Sequence, residues 1–220
     1  MPNMGHEPPI LYSFRRCPYA MRARLALMAS GQQVALREIV LRDKPQAFLT
    51  ASPSATVPCL VLPDQVIDES LDVMIWALRS HDPEGWLDMP QAGWDWIERS
   101  DGPFKHALDR TKYATRYPEE DPDKHRAEAA VFLSDLDQQI TTWIFDTPTL
   151  ADYAILPFVR QFAFIDKDWF DAQPWPNLQA WLERFLGSER FAAIMQKYAP
   201  WQPKDAPIHF GAPMAAQPTG

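Results

Sequence analysis

Cys17 stands at a position where a reactive thiol is expected. Two arginines precede it, Pro18 follows it, and the next residues are typical of a helix. Because proline is favoured at the first position of a helix, Cys17 is predicted to be the N-cap residue. Its sulfur would then face the unpaired N–H groups at the positive end of the helix dipole. The dipole and the arginines both favour the thiolate, which is the nucleophilic form, whereas the alternative is a buried structural cysteine.

The redox chemistry open to this thiol is limited by the residues around it. Ala20 stands where a second cysteine would complete a Cys-x-x-Cys motif, so an intramolecular dithiol cycle at this motif is excluded. The other cysteine, Cys59, lies in a predicted buried strand and is interpreted as a core residue. If Cys17 does redox work, its resolving partner must therefore be an external thiol.

Two further motifs could bind an extended, peptide-like ligand. Pro58 cannot donate to a strand ladder, so Val57-Pro58 at a strand start requires an edge position or an unusual turn. A cis bond there would leave the carbonyl and N–H of Val57 available to an extended ligand. Glu69 and Ser70 enter the next helix, where a carboxylate and an ammonium group could both be bound. The alternative for this pair is a plain helix cap.

Alternating strand and helix patterns must position these motifs. Their order is β-α-β-α-β-β-α, which predicts a small α/β domain over residues 1–82. Residues 83–86 are predicted to be a linker, and helical patterns beyond it predict an all-α domain over residues 87–199. Residues 200–220 are rich in proline and alanine without periodicity, and they are predicted to be an extended tail, either on the surface or disordered.

Composition and charge exclude several classes of protein. The 220 residues carry a formal net charge of −8, which argues against a nucleic-acid partner. The chain has no glycine-rich phosphate loop, and no apolar run approaches the ~18 residues of a membrane span. The start lacks the basic and apolar regions of a secretory signal. We therefore expect a cytoplasmic protein with neither a membrane nor a nucleic-acid partner.

Taken in this order, the motifs resemble those of cytosolic glutathione transferases, particularly the cysteine-type classes such as omega. The motifs that match the family pattern are Cys17-Pro-Tyr-Ala20, Val57-Pro58 and Glu69-Ser70. Lys44 also matches the omega-like segment whose lysine meets the glycine end of glutathione. In the second half, Thr149 and Asp152 look like the family's capping box, which is a folding element. The resemblance covers about residues 9–198.

The resemblance implies a thioredoxin-like N-terminal domain, an all-helical C-terminal domain, and glutathione as co-substrate. The glutathione-binding residues that it implies are Lys44, Val57, Pro58, Glu69 and Ser70. Cys17 would attack an oxidised or glutathionylated substrate and form a mixed disulfide with glutathione. The implied activities are thiol–disulfide exchange, dehydroascorbate reduction and deglutathionylation. A homodimer is also expected from the family.

Three alternatives stay open. Transferases that use tyrosine or serine activate the thiol of glutathione by a hydrogen bond, and Tyr12 or Ser13 could do so here. The same fold also serves non-catalytic binding modules, since a fold does not fix a function. A glutathione-dependent reductive dehalogenase or a conjugating transferase could use the same Cys17.

The remaining predictions concern the second substrate and metal ions. The second substrate, a small electrophile or disulfide, is expected in a cleft between the domains. Candidate residues for its pocket are Tyr19, Trp94, Trp96, Ile97, Phe104, Leu108, Tyr113 and Tyr117. The five histidines show neither His-x-x-x-His nor Glu-x-x-His spacing, so no metal site is predicted.

Overall fold

A mixed five-stranded sheet carries the motifs of the first part of the chain. The structure, a computed structural model, describes residues 8–211. The strands are β1 (Ile10–Ser13), β2 (Val34–Glu38), β3 (Cys59–Val61), β4 (Val66–Ile67) and β5 (Ile208–Phe210). Across the sheet their order is β4-β3-β1-β2-β5, with β1 and β2 parallel and the other pairs antiparallel. The predicted βαβαββα arrangement is therefore confirmed, with one strand added.

Three helices belong to the same part of the chain, and the first begins at the predicted nucleophile. They are α1 (Pro18–Ser30), α2 (Gln46–Ala51) and α3 (Ser70–Ser80). Pro18 supplies the first helical residue of α1, and Gly31 ends the helix with a φ of 69°, which glycine adopts without strain. α1 packs against α3 and is buried along almost its whole length. The backbone that carries Cys17 is therefore firmly held.

The fifth strand differs from the sequence prediction, which has four strands and an extended tail over residues 200–220. Within the described part of that tail, β5 pairs antiparallel with β2. Gly211 follows with a φ of 97°, and a Cβ there would lie 2.0 Å from the carbonyl oxygen of Gln32. Three residues flanked by proline-rich segments show too little alternation to predict such a strand. Residues 212–220 lie outside the described residues.

A second compact unit, Gly85–Ala192, is helical. Its helices are α4 (Gln91–Arg99), α5 (Lys105–Lys112), α6 (Pro122–Gln139), α7 (Leu150–Ala163), α8 (Lys167–Asp171) and α9 (Pro176–Leu186). A further helix, α10 (Glu189–Ile194), begins in this unit and ends two residues beyond its last residue, Ala192. A π-helical turn, Ser100–Phe104, joins α4 to α5. It contains Pro103, which has no N–H to donate in the regular α-helical pattern, and this accounts for the local change of helix type. The predicted fold class, α/β plus all-α, is confirmed. Within residues 8–211, none of the helices has the length and apolar character of a membrane span.

Among the described residues, the other compact unit consists of residues 8–84 and 193–211. The predicted all-α domain, residues 87–199, includes residues 193–199 instead. A backbone hydrogen bond joins this last segment, residues 193–211 (the returning chain), to the sheet. The N–H of Trp201, which precedes β5, donates to the carbonyl of Glu38 at 2.7 Å. Pairing between residues so distant in sequence leaves no local signal.

The helical unit is centred on α7, whose start is capped by side chains. Thr149 is the N-cap residue, and its N–H and hydroxyl donate to Asp152 at 2.8 and 3.0 Å. The N–H of Ile144 and the indole of Trp181 donate to the other carboxylate oxygen at 3.0 and 2.9 Å. Burial raises the pKa of Asp152 in spite of these four hydrogen bonds. The helix continues through Pro157, and nearly all of its residues are buried.

Candidate functional site

Cys17 occupies the N-cap position of α1 and is half-buried. Its backbone is extended, with φ −76° and ψ 124°, and Pro18 follows as the first helical residue. The sulfur lies 3.7 Å from the carbonyl oxygen of Val57, to which the thiol can donate. The structure thus brings together two motifs that are forty residues apart in the sequence.

The two arginines before Cys17 each have a contact elsewhere in the structure. The Arg15 guanidinium donates to the carbonyl of Met195 at 3.2 Å. The Arg16 guanidinium lies over the ring of Phe14, 5.4 Å from its centroid. The N-terminus of α1 is a positive feature that the structure places at Cys17.

The loop that leads into the Val57-Pro58 motif is anchored from one side by Lys44. The Val57-Pro58 peptide bond is cis, and Val57 is buried. Two residues earlier, Ala55 has a φ of 53°, a left-handed conformation that few non-glycine residues adopt. The Lys44 ammonium group donates to the Ala55 carbonyl at 3.0 Å. Lys44 therefore lies beside the loop that presents Val57.

Asp68 anchors the same loop from the other side. Its carboxylate accepts the hydroxyl of Ser52 at 3.2 Å and the N–H of Ser54 at 3.1 Å. Asp68 directly precedes Glu69, so the loop and the start of α3 are joined by these bonds. Sequence reasoning did not assign this role to Asp68, because no spacing rule connects it with the serines.

Glu69 and Ser70 form the start of α3, as the N-cap and the first helical residue. The Glu69 side chain is exposed, whereas Ser70 is buried and its hydroxyl accepts from the buried Arg22 at 3.5 Å. An exposed carboxylate next to a helix N-terminus offers complementary positions for an ammonium and a carboxylate group. The site therefore has the polar groups that an amino-acid head group needs.

The second cysteine is unsuited to nucleophilic chemistry. Cys59 is fully buried in β3, and burial, together with the neighbouring Asp68, raises the pKa of its thiol to about 12. The thiol is therefore protonated at neutral pH. Of the two cysteines, only Cys17 has solvent exposure.

The hydroxyl groups of Tyr12 and Ser13 are engaged within the core. The Tyr12 hydroxyl accepts from Arg37 at 2.6 Å, and its ring contacts Phe48 with centroids 5.2 Å apart. Ser13 is fully buried and accepts from the Nε of Arg24 at 2.9 Å. Both residues therefore act as packing and hydrogen-bonding groups of the sheet.

A buried ion pair between α1 and β2 was missed by sequence reasoning. Arg24 of α1 is fully buried, pairs with Glu38 of β2, and donates to the carbonyl of Ile194 at 2.9 Å. Burial lowers the pKa of Arg24, and the carboxylate of Glu38 opposes that change. The pair joins α1, which begins after Cys17, to β2, and the hydrogen bond of Arg24 reaches Ile194. A charged residue on a helix is normally expected at the surface, so the pattern gave no signal.

A groove of about 430 Å³ lies next to the segment that contains Lys44, in the compact unit that carries the sheet. The residues lining it come from the segment after β2 and from the returning chain: Ile39, Val40, Arg42, Asp43, Pro45, Gln46, Pro200, Trp201, Gln202 and Pro203. Its lining mixes charged and apolar side chains, and none of them was predicted to bind substrate.

Part of the predicted second-substrate pocket lies in the core of the helical unit. Phe104 stacks on Phe132 with centroids 4.6 Å apart, and Leu108 and Ile97 are buried. These three residues face inward on their helices, which corrects their assignment to an open pocket. The remaining candidates are half-buried: Tyr19, Trp94, Trp96, Tyr113 and Tyr117.

The helical unit contains a cluster of metal-ligating residue types that the histidine spacing did not predict. One ligand atom from each of His106, Glu120 and His125 lies within 4.8 Å of the others. The three residues come from α5, the connection and α6. Only the packing of those segments brings them together, so no short motif could reveal the cluster.

Two family models match most of the chain. The model described as "Glutathione S-transferase, N-terminal domain" matches residues 11–85, and "Glutathione S-transferase, C-terminal domain" matches residues 95–184. A curated relative, glutathione S-transferase omega-2 of Mus musculus, is 42% identical over 50 residues. That match spans 23% of this chain and 20% of the relative.

Solved structures share the fold over nearly the whole chain. Glutathione transferase Omega 3C from Trametes versicolor has a TM-score of 0.70 at 19% identity, covering 89% of this chain and 91% of its own. A glutathione transferase from Pseudomonas putida, solved with one glutathione disulfide bound per subunit, has a TM-score of 0.75 at 17% identity. That match covers 89% of this chain and 94% of the other. At these identities the likeness establishes a common fold.

Proposed function

Because the chain belongs to the glutathione S-transferase superfamily, we propose that it is a cysteine-type transferase that catalyses glutathione-dependent thiol–disulfide exchange. The observation that carries the proposal is the position of the Cys17 sulfur, at the N-terminus of α1 and 3.7 Å from the Val57 carbonyl. A thiol at a helix N-terminus and a main-chain carbonyl thus lie side by side, which supports the proposal.

Glutathione, an anionic and extended tripeptide, fits the groups around Cys17. Its cysteinyl unit would pair with the main chain of Val57 beside Pro58, which directs its sulfur towards Cys17. The γ-glutamyl head would bind Glu69, Ser70 and the start of α3. Lys44 would receive the glycine carboxylate. Support for this arrangement comes from the hydrogen bonds that join Lys44 and Asp68 to the intervening loop.

The proposed reaction is a sequence of two thiol–disulfide exchanges. The Cys17 thiolate attacks the glutathione sulfur of a mixed disulfide, the S–S bond breaks, and the substrate leaves as a thiolate that takes a proton from solvent. A second glutathione, as its thiolate, attacks the glutathione sulfur attached to Cys17. Glutathione disulfide then leaves, and the Cys17 thiolate is regenerated. In the net reaction, one free glutathione reduces the mixed disulfide: the substrate sulfur leaves as a thiol, and the incoming glutathione sulfur is oxidised into glutathione disulfide.

The Val57 carbonyl gives ligand binding a direct effect on the thiol. Without a ligand, this carbonyl is within reach of the Cys17 S–H. When the cysteinyl N–H of bound glutathione donates a hydrogen bond to the Val57 carbonyl, the Cys17 S–H no longer has that acceptor. The protonated thiol is then less stabilised relative to the thiolate. Binding of the tripeptide would thus favour the reactive form of Cys17.

The proposal also covers the second substrate and assembly. We propose a small disulfide or electrophile as second substrate, a homodimer as the assembled form, and the cytoplasm as the location. A tyrosine- or serine-type mechanism is disfavoured because Tyr12 and Ser13 are engaged in the core.

The test uses the full chain, glutathione, and the mixed disulfide of glutathione with 2-mercaptoethanol. We expect turnover with wild-type protein and a Cys17 adduct of one glutathionyl group by mass spectrometry when glutathione is withheld. Cys17→Ser should have no turnover, whereas Cys59→Ala, the matched control in the core, should keep it. Turnover by Cys17→Ser would remove Cys17 from the mechanism. A wild-type protein without turnover or adduct would favour a non-catalytic binding module.

A further inference from the structure

We propose that His106, Glu120 and His125 bind one divalent ion of the zinc, nickel or copper type in the helical unit. One ligand atom from each residue lies within 4.8 Å of the other two. This site is separate from the residues that would bind glutathione, and the proposal does not depend on the transferase activity.

The geometry of the three residues is close to that of a metal site. His106 belongs to α5, His125 belongs to α6, and Glu120 lies in the connection between them. The Nε2 of His125 is 2.6 Å from the Oε2 of Glu120, and the two imidazole centroids are 5.8 Å apart. Two ligands with bonds of about 2.1 Å to one ion are at most about 4.2 Å apart. In a tetrahedral site such ligands are about 3.4 Å apart, so the Glu120 carboxylate must move slightly away from Nε2 while the exposed His106 side chain rotates inward. Neither His106 nor Glu120 is buried, so both movements have room.

The buried imidazole of His125 is already oriented for binding through Nε2. Its Nδ1 lies 2.9 Å from the Oε2 of Glu128, one helical turn further along α6. Metal-bound histidines commonly donate their other ring N–H to a carboxylate, which fixes the tautomer and strengthens the ligand. Glu128 would therefore be a positioning residue, while Nε2 faces Glu120.

The residue types select the class of ion. Two imidazoles and one carboxylate suit zinc, nickel and copper, whereas magnesium and calcium prefer oxygen ligands alone. Three protein ligands leave at least one coordination position for water.

Arg110 provides a competing positive charge. Its Nε donates to the Oε2 of Glu120 at 2.7 Å, and its guanidinium lies 4.6 Å from the ring centroid of Tyr117. A cation at the same carboxylate repels a metal ion, so Arg110 is expected to weaken binding. Its removal should therefore increase the affinity, which is the opposite of the effect of removing a ligand.

The test is calorimetric titration of Zn²⁺ into the full chain after chelator treatment, in a Cys17→Ser background that removes the exposed thiol. We expect one ion per chain. His106→Ala should weaken binding by about tenfold or more, and this exposed position should tolerate the change. His209→Ala, an exposed histidine of β5, is the matched control and should bind as the parent does.

Two further measurements decide between a metal site and a purely structural cluster. Arg110→Gln should tighten Zn²⁺ binding by up to about fivefold, the size of an exposed ion-pair effect. Co²⁺ should give visible absorption bands that His106→Ala removes. Absence of stoichiometric Zn²⁺ binding, equal affinity in His106→Ala and His209→Ala, or weaker binding in Arg110→Gln would each overturn the proposal.

Discussion

The starts of α1 and α7 use the same backbone feature in opposite ways. Both helices begin with unpaired N–H groups at the positive end of a dipole. At α7, Thr149 and a buried carboxylate form a closed hydrogen-bonded cap with the indole of Trp181. At α1, the cap position holds a half-buried thiol beside a main-chain carbonyl. A satisfied, buried helix start stabilises the fold, whereas an accessible one is available for chemistry.

The largest expected contrast separates the two cysteines. At pH 7, iodoacetamide should alkylate Cys17 on the order of a thousandfold faster than Cys59, because the pKa of the buried Cys59 thiol is about 12. Peptide mass spectrometry after timed quenching measures both rates. In urea, both thiols should react at similar rates, which is the internal control. Equal labelling in the folded protein would contradict the assignment of reactivity to the start of α1.

At the start of α7, removal of the carboxylate should be severely destabilising. Asp152→Ala should lower the free energy of unfolding by about 3–4 kcal/mol, because it leaves buried donors without an acceptor. Asp121→Ala is the matched control: this exposed N-cap of α6 accepts one N–H, and its loss should cost about 1 kcal/mol. Urea denaturation measures both values. Equal costs would show that burial of the α7 cap adds nothing.

The same carboxylate predicts a pH dependence of stability. Burial raises the folded-state pKa of Asp152, so the folded chain holds this proton more tightly than the unfolded chain does. The resulting stabilisation is complete below the unfolded pKa, about 3.9, and is lost as the pH rises through the folded pKa. The stability of the wild type relative to Asp152→Asn should therefore fall with rising pH in that window. Urea titrations at several pH values measure it, and a flat or rising difference would contradict the direction.

The smallest expected effect is on stability at the start of α1. Cys17→Ala should change the free energy of unfolding by less than about 1 kcal/mol, because the half-buried thiol packs only partly. The variant should nevertheless lose thiol exchange. A loss of stability comparable to that of Asp152→Ala would make Cys17 a structural residue and remove the distinction between the two helix starts.

The sequence predicts features that depend on local pattern. Periodicity and cap residues indicated α1 and the order of the first four strands. The capping-box spacing of Thr149 and Asp152 likewise matches the observed start of α7. Such features depend on residues within a few positions of one another, and therefore remain visible without the tertiary structure.

Features that depend on distant packing were not predicted. The buried pair of Arg24 and Glu38 needs the contact between α1 and β2. The cluster around His125 needs the packing of α5 on α6. Phe104 was assigned to a pocket because helical spacing alone does not show which side of a helix faces inward. Long-range contacts decide each of these cases.

The strand formed by residues 208–210 has a consequence for how the protein avoids aggregation. This strand, β5, pairs with β2 and is therefore one edge strand of the sheet. The other edge strand is β4, which is only two residues long. Sheets with long uncovered borders recruit other chains by adding strands. A chain cut before residue 208 would uncover the edge of β2, and we expect such a chain to aggregate more readily than the full chain.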